Sequence, residues 1–80
     1  MEEKNELLNN IHKLHTTELG IIRIKRNLDL KTDNVVNWCK DKIQKAEKIF
    51  KKGKNWYAFY KNCIITINAK SYTIITAKKL

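Results

Sequence analysis

The apolar pattern of this chain changes period once, and that change limits what the chain can fold into. Up to about residue 47 apolar residues recur at helical spacing; beyond it they alternate. Leu7, Leu8, Ile11 and Leu14 stand at i, i+1, i+4 and i+7, which predicts a first helix over about residues 2–14. His15-Thr16-Thr17 interrupts the stripe, and either threonine can cap a second helix, whose core stripe is Ile21, Ile24 and Leu28 with Arg23 and Arg26 beside it. Lys31–Asn34 reads as a connection, with Thr32 or Asp33 as N-cap. Val36, Cys39, Ile43 and Ala46 then predict a third helix over about residues 34–47.

Strands are predicted at Lys48–Lys51, Asn55–Tyr60, Cys63–Asn68 and Tyr72–Ala77. The third helix could also run through the first of these. Lys51-Lys52-Gly53-Lys54, Lys61-Asn62 and Asn68-Ala69-Lys70-Ser71 are the turns between them. The expected fold class is α+β: three N-terminal helices packed on a four-stranded antiparallel β-meander. The chain is expected to be a single domain over residues 1–80, helical over about 2–47, with its sheet over about 48–79. Trp56, Ala58 and Tyr60 should share one sheet face, and Tyr57 and Phe59 the other.

Composition removes several classes. A hydrophobic share of 42% is that of a globular domain, and 80 residues are enough for one core only. Two cysteines, Cys39 and Cys63, are too few for a disulfide scaffold and lack metal-ligand spacing. Cys39 is expected inside the third helix and Cys63 in a strand. No apolar run approaches the roughly 18 residues of a membrane span, and the acidic, polar N-terminus is unlike a signal peptide. The expectation is a cytoplasmic protein with no metal, no cofactor and no membrane partner.

Charge points to a partner. Residues 1–34 carry six basic and six acidic groups, whereas residues 35–80 carry eleven lysines against Asp41 and Glu47. The whole net charge of +9 therefore lies in the second half, the electrostatic footprint of a nucleic-acid or ribonucleoprotein ligand. Lys51, Lys52 and Lys54 crowd the first hairpin and Lys70 the third. Alternate turns of a meander share an edge, so these lysines can face phosphates together. Lys42, Lys45 and Lys48 or Lys52 would add a ridge if the third helix continued. Tyr57 and Phe59, on the face away from the core, are the expected aromatic contacts.

Leu14–Gly20 (LHTTELG), Arg23–Leu28 (RIKRNL), Val36–Lys40, Lys52–Tyr57 (KGKNWY) and Ser71–Ala77 (SYTIITA) resemble a family of small bacterial proteins known only as a domain of unknown function. The likeness covers nearly the whole chain and implies no activity. The ending, a strand with Asn68, a turn with Ser71 and then Thr-Ile-Ile-Thr-Ala, also looks like the last hairpin of the barnase-like, colicin-type and interferase-type ribonucleases. Relatives in the first family often end Thr-Ala-His, where this chain has Thr76-Ala77-Lys78; if that histidine serves catalysis, this chain has lost it.

Metal-free RNA cleavage needs a base, a charge stabiliser and an acid. His15, Glu18, Arg23, Lys54, Ser71, Thr76 and Lys78 supply those residue types, far apart in sequence. Lysine, protonated at neutral pH, stabilises charge but does not serve as base, so a binding role is expected before an enzymatic one. In size and basicity the chain is similar to anti-CRISPR inhibitors of RNA-guided nucleases, proteins of phages and mobile elements. The expected function is thus a small basic binding protein that inhibits or modulates a nucleic-acid-handling complex. Its partner would be RNA or a ribonucleoprotein, a CRISPR effector among them. The expected contacts are Lys51, Lys52, Lys54, Lys70, Lys78, Tyr57 and Phe59. The alternatives are a metal-independent ribonuclease toxin or RNA-processing enzyme, using His15, Glu18, Arg23, Ser71, Thr76 and Lys78, and a self-associating accessory protein, a homodimer in its simplest form.

Overall fold

A computed structural model describes the backbone of residues 3–80 and the side chains of residues 6–80. The helical half comprises α1 (Glu3–Asn9), a 3₁₀ turn (Ile11–Lys13), α2 (Glu18–Leu28) and α3 (Val35–Gln44). It is followed by β1 (Lys48–Lys52), β2 (Asn55–Tyr60), β3 (Cys63–Asn68) and β4 (Ile74–Lys79), an antiparallel sheet in sequential order. The α+β meander expected from the change of period is the observed fold.

The helices differ from expectation at their ends, each for a local reason. The first was expected to run to residue 14 but stops at Asn9. The bonds Asn10 N–Leu7 O, Lys13 N–Asn10 O and Leu14 N–Ile11 O all span three residues, so the second half of the segment is wound as 3₁₀. Its expected start at residue 2 lies outside the described residues. Helix α2 begins where expected, with the Thr17 hydroxyl accepting from Gly20 N at 3.0 Å. The cap of α3 is Asn34, not Thr32 or Asp33: Asn34 Oδ1 accepts from Asn37 N, and Thr32 Oγ1 accepts from Asn34 N one step earlier. Helix α3 ends at Gln44 rather than 47, and Val35, not Val36, is its first fully buried residue.

The core fills the space between helices and sheet. Leu7, Ile24, Leu28, Val35, Cys39 and Ile43 meet Ile49, Trp56, Ala58, Ile65, Ile67, Ile74 and Ala77 from the sheet. Cross-strand register sets the inward rows: Ile49, Ala58, Ile65 and Ala77 in one, Trp56, Ile67 and Ile74 in the next. Trp56 is fully buried, and its indole Nε1 has no hydrogen-bond partner among the described residues.

Strand β4 was expected from Tyr72 but starts at Ile74. Tyr72 has a left-handed backbone (φ 61°), so the chain turns there instead of extending. The segment after α1 fixes that turn. His15 N donates to Tyr72 O at 3.2 Å, Ile74 N donates to His15 O at 2.7 Å, and Thr16 Oγ1 donates to Ile74 O at 2.8 Å. A Cβ on Gly20 would collide with that Thr16 hydroxyl. Alanine is ordinarily the better residue inside a helix, yet Gly20→Ala should destabilise this protein, by about 1–3 kcal/mol. Urea denaturation of the variant measures it, and a gain in stability would contradict this packing.

Candidate nucleic-acid interface

Helices cover one face of the sheet, and the other lies open. The register brings Phe50, Tyr57, Thr66 and Thr76 into one outward row and Lys48, Phe59, Ile64 and Lys78 into the next. Phe50 stacks on Tyr57 with centroids 5.5 Å apart and on Phe59 at 5.6 Å. Three rings thus form a strip across β1 and β2, each half-buried by the others. Lys48 Nζ lies 5.4 Å from the Phe50 ring centroid, while Lys52 and Lys78 are exposed farther out on the same face. None of the four strands contains an aspartate or glutamate. Tyr57 and Phe59 stand where sequence reasoning put them. Phe50 and Lys48 were missed, although the pairing of Phe50 with Tyr57 follows once β1 is accepted as a strand.

At one end of the sheet the first and third turns come together, as alternate turns of a meander should. Gly53, at φ 62°, makes the first turn. Ala69 N donates to Lys54 O at 2.8 Å and ties the two turns. Between them lies a groove of about 530 Å³ lined by Lys51, Gly53, Lys54, Asn68, Ala69 and Lys70. Among the described residues no carboxylate lines it. The Asn68 side chain is set by its turn: Oδ1 accepts from Lys70 N, Ser71 N and Ser71 Oγ at 2.9–3.1 Å. With its oxygen committed, the amide has only Nδ2 donors to offer a ligand.

From Asn68 a chain of polar groups leads to His15. Ser71 Oγ lies 2.7 Å from Thr73 Oγ1, which lies 3.1 Å from His15 Nε2; His15 Nδ1 is 2.9 Å from Lys13 O. A carbonyl only accepts, so Nδ1 carries the proton. In the neutral ring Nε2 then accepts from Thr73, and the single Ser71 hydroxyl proton alternates between Thr73 Oγ1 and Asn68 Oδ1.

This chain gathers His15 and Ser71 and adds Thr73, a residue that sequence reasoning did not single out. The other predicted catalytic residues stay apart. Glu18 is exposed in the first turn of α2, and Arg23 is exposed farther along it. Thr76 Oγ1 accepts from Asn27 Nδ2 at 3.4 Å, and Lys78 stands on the open sheet face. Tyr72 is not a free stacking ring, for it packs on Trp56 at 5.1 Å with Lys13 Nζ 5.4 Å from its centroid. Burial, and then the Glu6 carboxylate, raise its phenol above the usual range.

The lysine ridge expected along α3 does not form, because the helix ends before Lys48 and Lys52. Lys42 and Lys45 instead hold Asp41 at 3.2 and 3.3 Å, and these hydrogen bonds lower the Asp41 carboxyl below the ordinary range. By contrast, Lys48, Lys52, Lys54, Lys70 and Lys78 have no carboxylate partner among the described residues. The sheet and its turns therefore hold positive charge available to a ligand, as do Arg23, Arg26, Lys31 and Lys40 of the helical half, which likewise have no carboxylate partner among the described residues.

Residues 8–78 match a family described as a protein of unknown function, DUF3781. The chain belongs to that family. No curated protein matches it, nor does any solved structure, so the likeness to small ribonucleases stays with the terminal motif. Among the described residues no helix of this DUF3781 member is long and apolar enough to cross a membrane.

Burial pushes the Cys39 thiol up to about 12. The thiol is the form present throughout the neutral range, and reactive thiolate accumulates only toward that value. Iodoacetamide at pH 8 should thus leave Cys39 unmodified in the native protein and alkylate it after unfolding, as read by mass spectrometry of peptides. Native-state labelling of Cys39 would show that the α3–sheet interface opens.

Proposed function

We propose that the protein binds single-stranded RNA on the open face of its sheet. The observation that carries this reading is the Phe50–Tyr57–Phe59 strip on a helix-free face, with Lys48, Lys52 and Lys78 around it that have no carboxylate partner among the described residues. Unpaired bases stack on such rings whatever their sequence. Lysines beside them neutralise the backbone and set register without reading bases. A six-residue strand is roughly 20 Å long, at about 3.3 Å per residue, enough for two or three stacked bases. A protein of this kind acts by occupying RNA that another machine needs. Inhibition of an RNA-guided nuclease is the narrower form of the proposal.

Binding should be strongly salt-dependent, with a slope of about −0.7 in log K against log salt for each phosphate neutralised. Fluorescence anisotropy with a labelled oligouridylate measures it. Replacing Lys48, Lys52 and Lys78 together by alanine should flatten the slope. Tyr57→Ala should cost about 1–3 kcal/mol, the range of one base–aromatic stack, with circular dichroism confirming the fold. Absence of binding at low salt would overturn the reading.

The chain His15–Thr73–Ser71 favours a second reading, cleavage of RNA. Against it, both ring nitrogens of His15 already have partners, and neither Glu18 nor Lys78 reaches them. A base without a matched acid forgoes much of the roughly 10²–10⁴-fold that proton transfer contributes. The purified protein should therefore leave structured and unstructured RNA intact over hours. Cleavage that disappears in His15→Ala would instead establish the ribonuclease.

A further inference from the structure

The groove between the first and third turns differs in chemistry from the aromatic face. What it offers a ligand is a set of donors: the ammonium groups of Lys54 and Lys70 and the Nδ2 protons of Asn68, whose oxygen the turn consumes. Lys51 lines the same groove. A site that donates but offers no side-chain acceptor selects a ligand that only accepts, and one flanked by several cations selects an anion of more than one charge. At about 530 Å³ the groove is larger than a single phosphate group needs, and it admits the terminal nucleotide that carries one.

Position narrows the ligand further. The groove lies where the sheet ends, and the Ala69–Lys54 bond joins the two turns there. Asn68, which lines the groove, belongs to the outward row next to the aromatic strip, through the pairings Lys52–Asn55 and Asn55–Asn68, whereas Lys51 stands in the inward row opposite Trp56. Through Asn68 the rim of the groove meets the open face. A strand lying on that face reaches the groove with its end.

We infer that the groove is a binding site for a terminal phosphate monoester, so that the protein prefers RNA with a phosphorylated end. An internal phosphodiester carries one negative charge, whereas a monoester approaches two near neutral pH, its second pKa being about 6. Lys54 and Lys70 gain more from the second charge than from a diester passing by. This inference rests on the sheet-face reading for the placement of the strand, but the groove's own chemistry is tested separately.

The test compares three hexauridylates by fluorescence anisotropy: 5′-phosphorylated, 3′-phosphorylated, and hydroxyl at both ends. One phosphorylated form should bind roughly three- to tenfold more tightly than the hydroxyl form, the scale of one or two exposed ion pairs. Lys54→Ala with Lys70→Ala should abolish that advantage while changing the hydroxyl oligomer's affinity less. The form that gains identifies the end that is read. Equal affinity of all three overturns the groove inference and leaves the sheet-face reading intact. In parallel, uridine monophosphate and uridine are titrated into the labelled protein. Saturable amide shifts at Lys54, Asn68 and Lys70 with the monophosphate alone support the groove even if no oligomer binds, and their absence with both ligands overturns it.

Discussion

The structure depends on the strand-like join between the helical half and β4. His15 exchanges backbone bonds with Tyr72 and Ile74, the shorter at 2.7 Å, and Thr16 adds a side-chain bond to Ile74 O. Helix α2 starts immediately after, capped by Thr17, and so must lie along β4. Asn27, farther down that helix, donates to Ala77 O at 3.3 Å. Side chains from the helical layer thereby satisfy outward carbonyls of an edge strand, a common way to discourage edge pairing. With α2 held there, the helices cover the inner face alone.

That one-sided covering makes sense of the aromatic residues. A ring on an open face leaves apolar surface in water, which a protein this small has little reason to keep without a use. Phe50, Tyr57 and Phe59 shield one another by stacking, and Lys48 lies over the Phe50 ring. Lysines around an exposed sheet in general discourage edge pairing and favour polyanions. Trp56 is the contrasting case: its indole goes fully into the core with no partner for its N–H among the described residues, at a cost of about 1–3 kcal/mol that the burial of a large ring offsets.

Much of this was legible in the sequence, because alternation and helical spacing report directly on which side chains must leave water. Strands β2 and β3, the Lys61-Asn62 turn and the inward Trp56–Ala58 pair emerge from the pattern alone. What the pattern missed depends on backbone states that neighbours impose. Tyr72, aromatic and next to β-branched residues, reads as a strand residue but sits at φ 61°, its carbonyl accepting from His15 N and its own N–H donating to Asn68 O. Asn10 ends α1 within a run of residues that keep helical spacing, since the 3₁₀ continuation still directs Leu14 inward. The site was legible in part for the same reason. Tyr57 and Phe59 follow from alternation within one strand, whereas Phe50 and Lys48 require the register between two strands. The company of His15, Thr73 and Ser71 requires a contact across 58 residues, which no local pattern carries.

The central claim is that ligand lies on the open face of the sheet. Aromatic and amide chemical-shift mapping on titration with a short single-stranded oligouridylate tests it most directly. The account predicts that perturbations concentrate on the rings of Phe50, Tyr57 and Phe59 and on the backbone of β1 and β2, with the core Trp56 and the outer surface of α2 nearly unmoved. Perturbations centred on α2, or on Trp38 and Tyr60, with the Phe50–Tyr57–Phe59 strip unchanged, would contradict it.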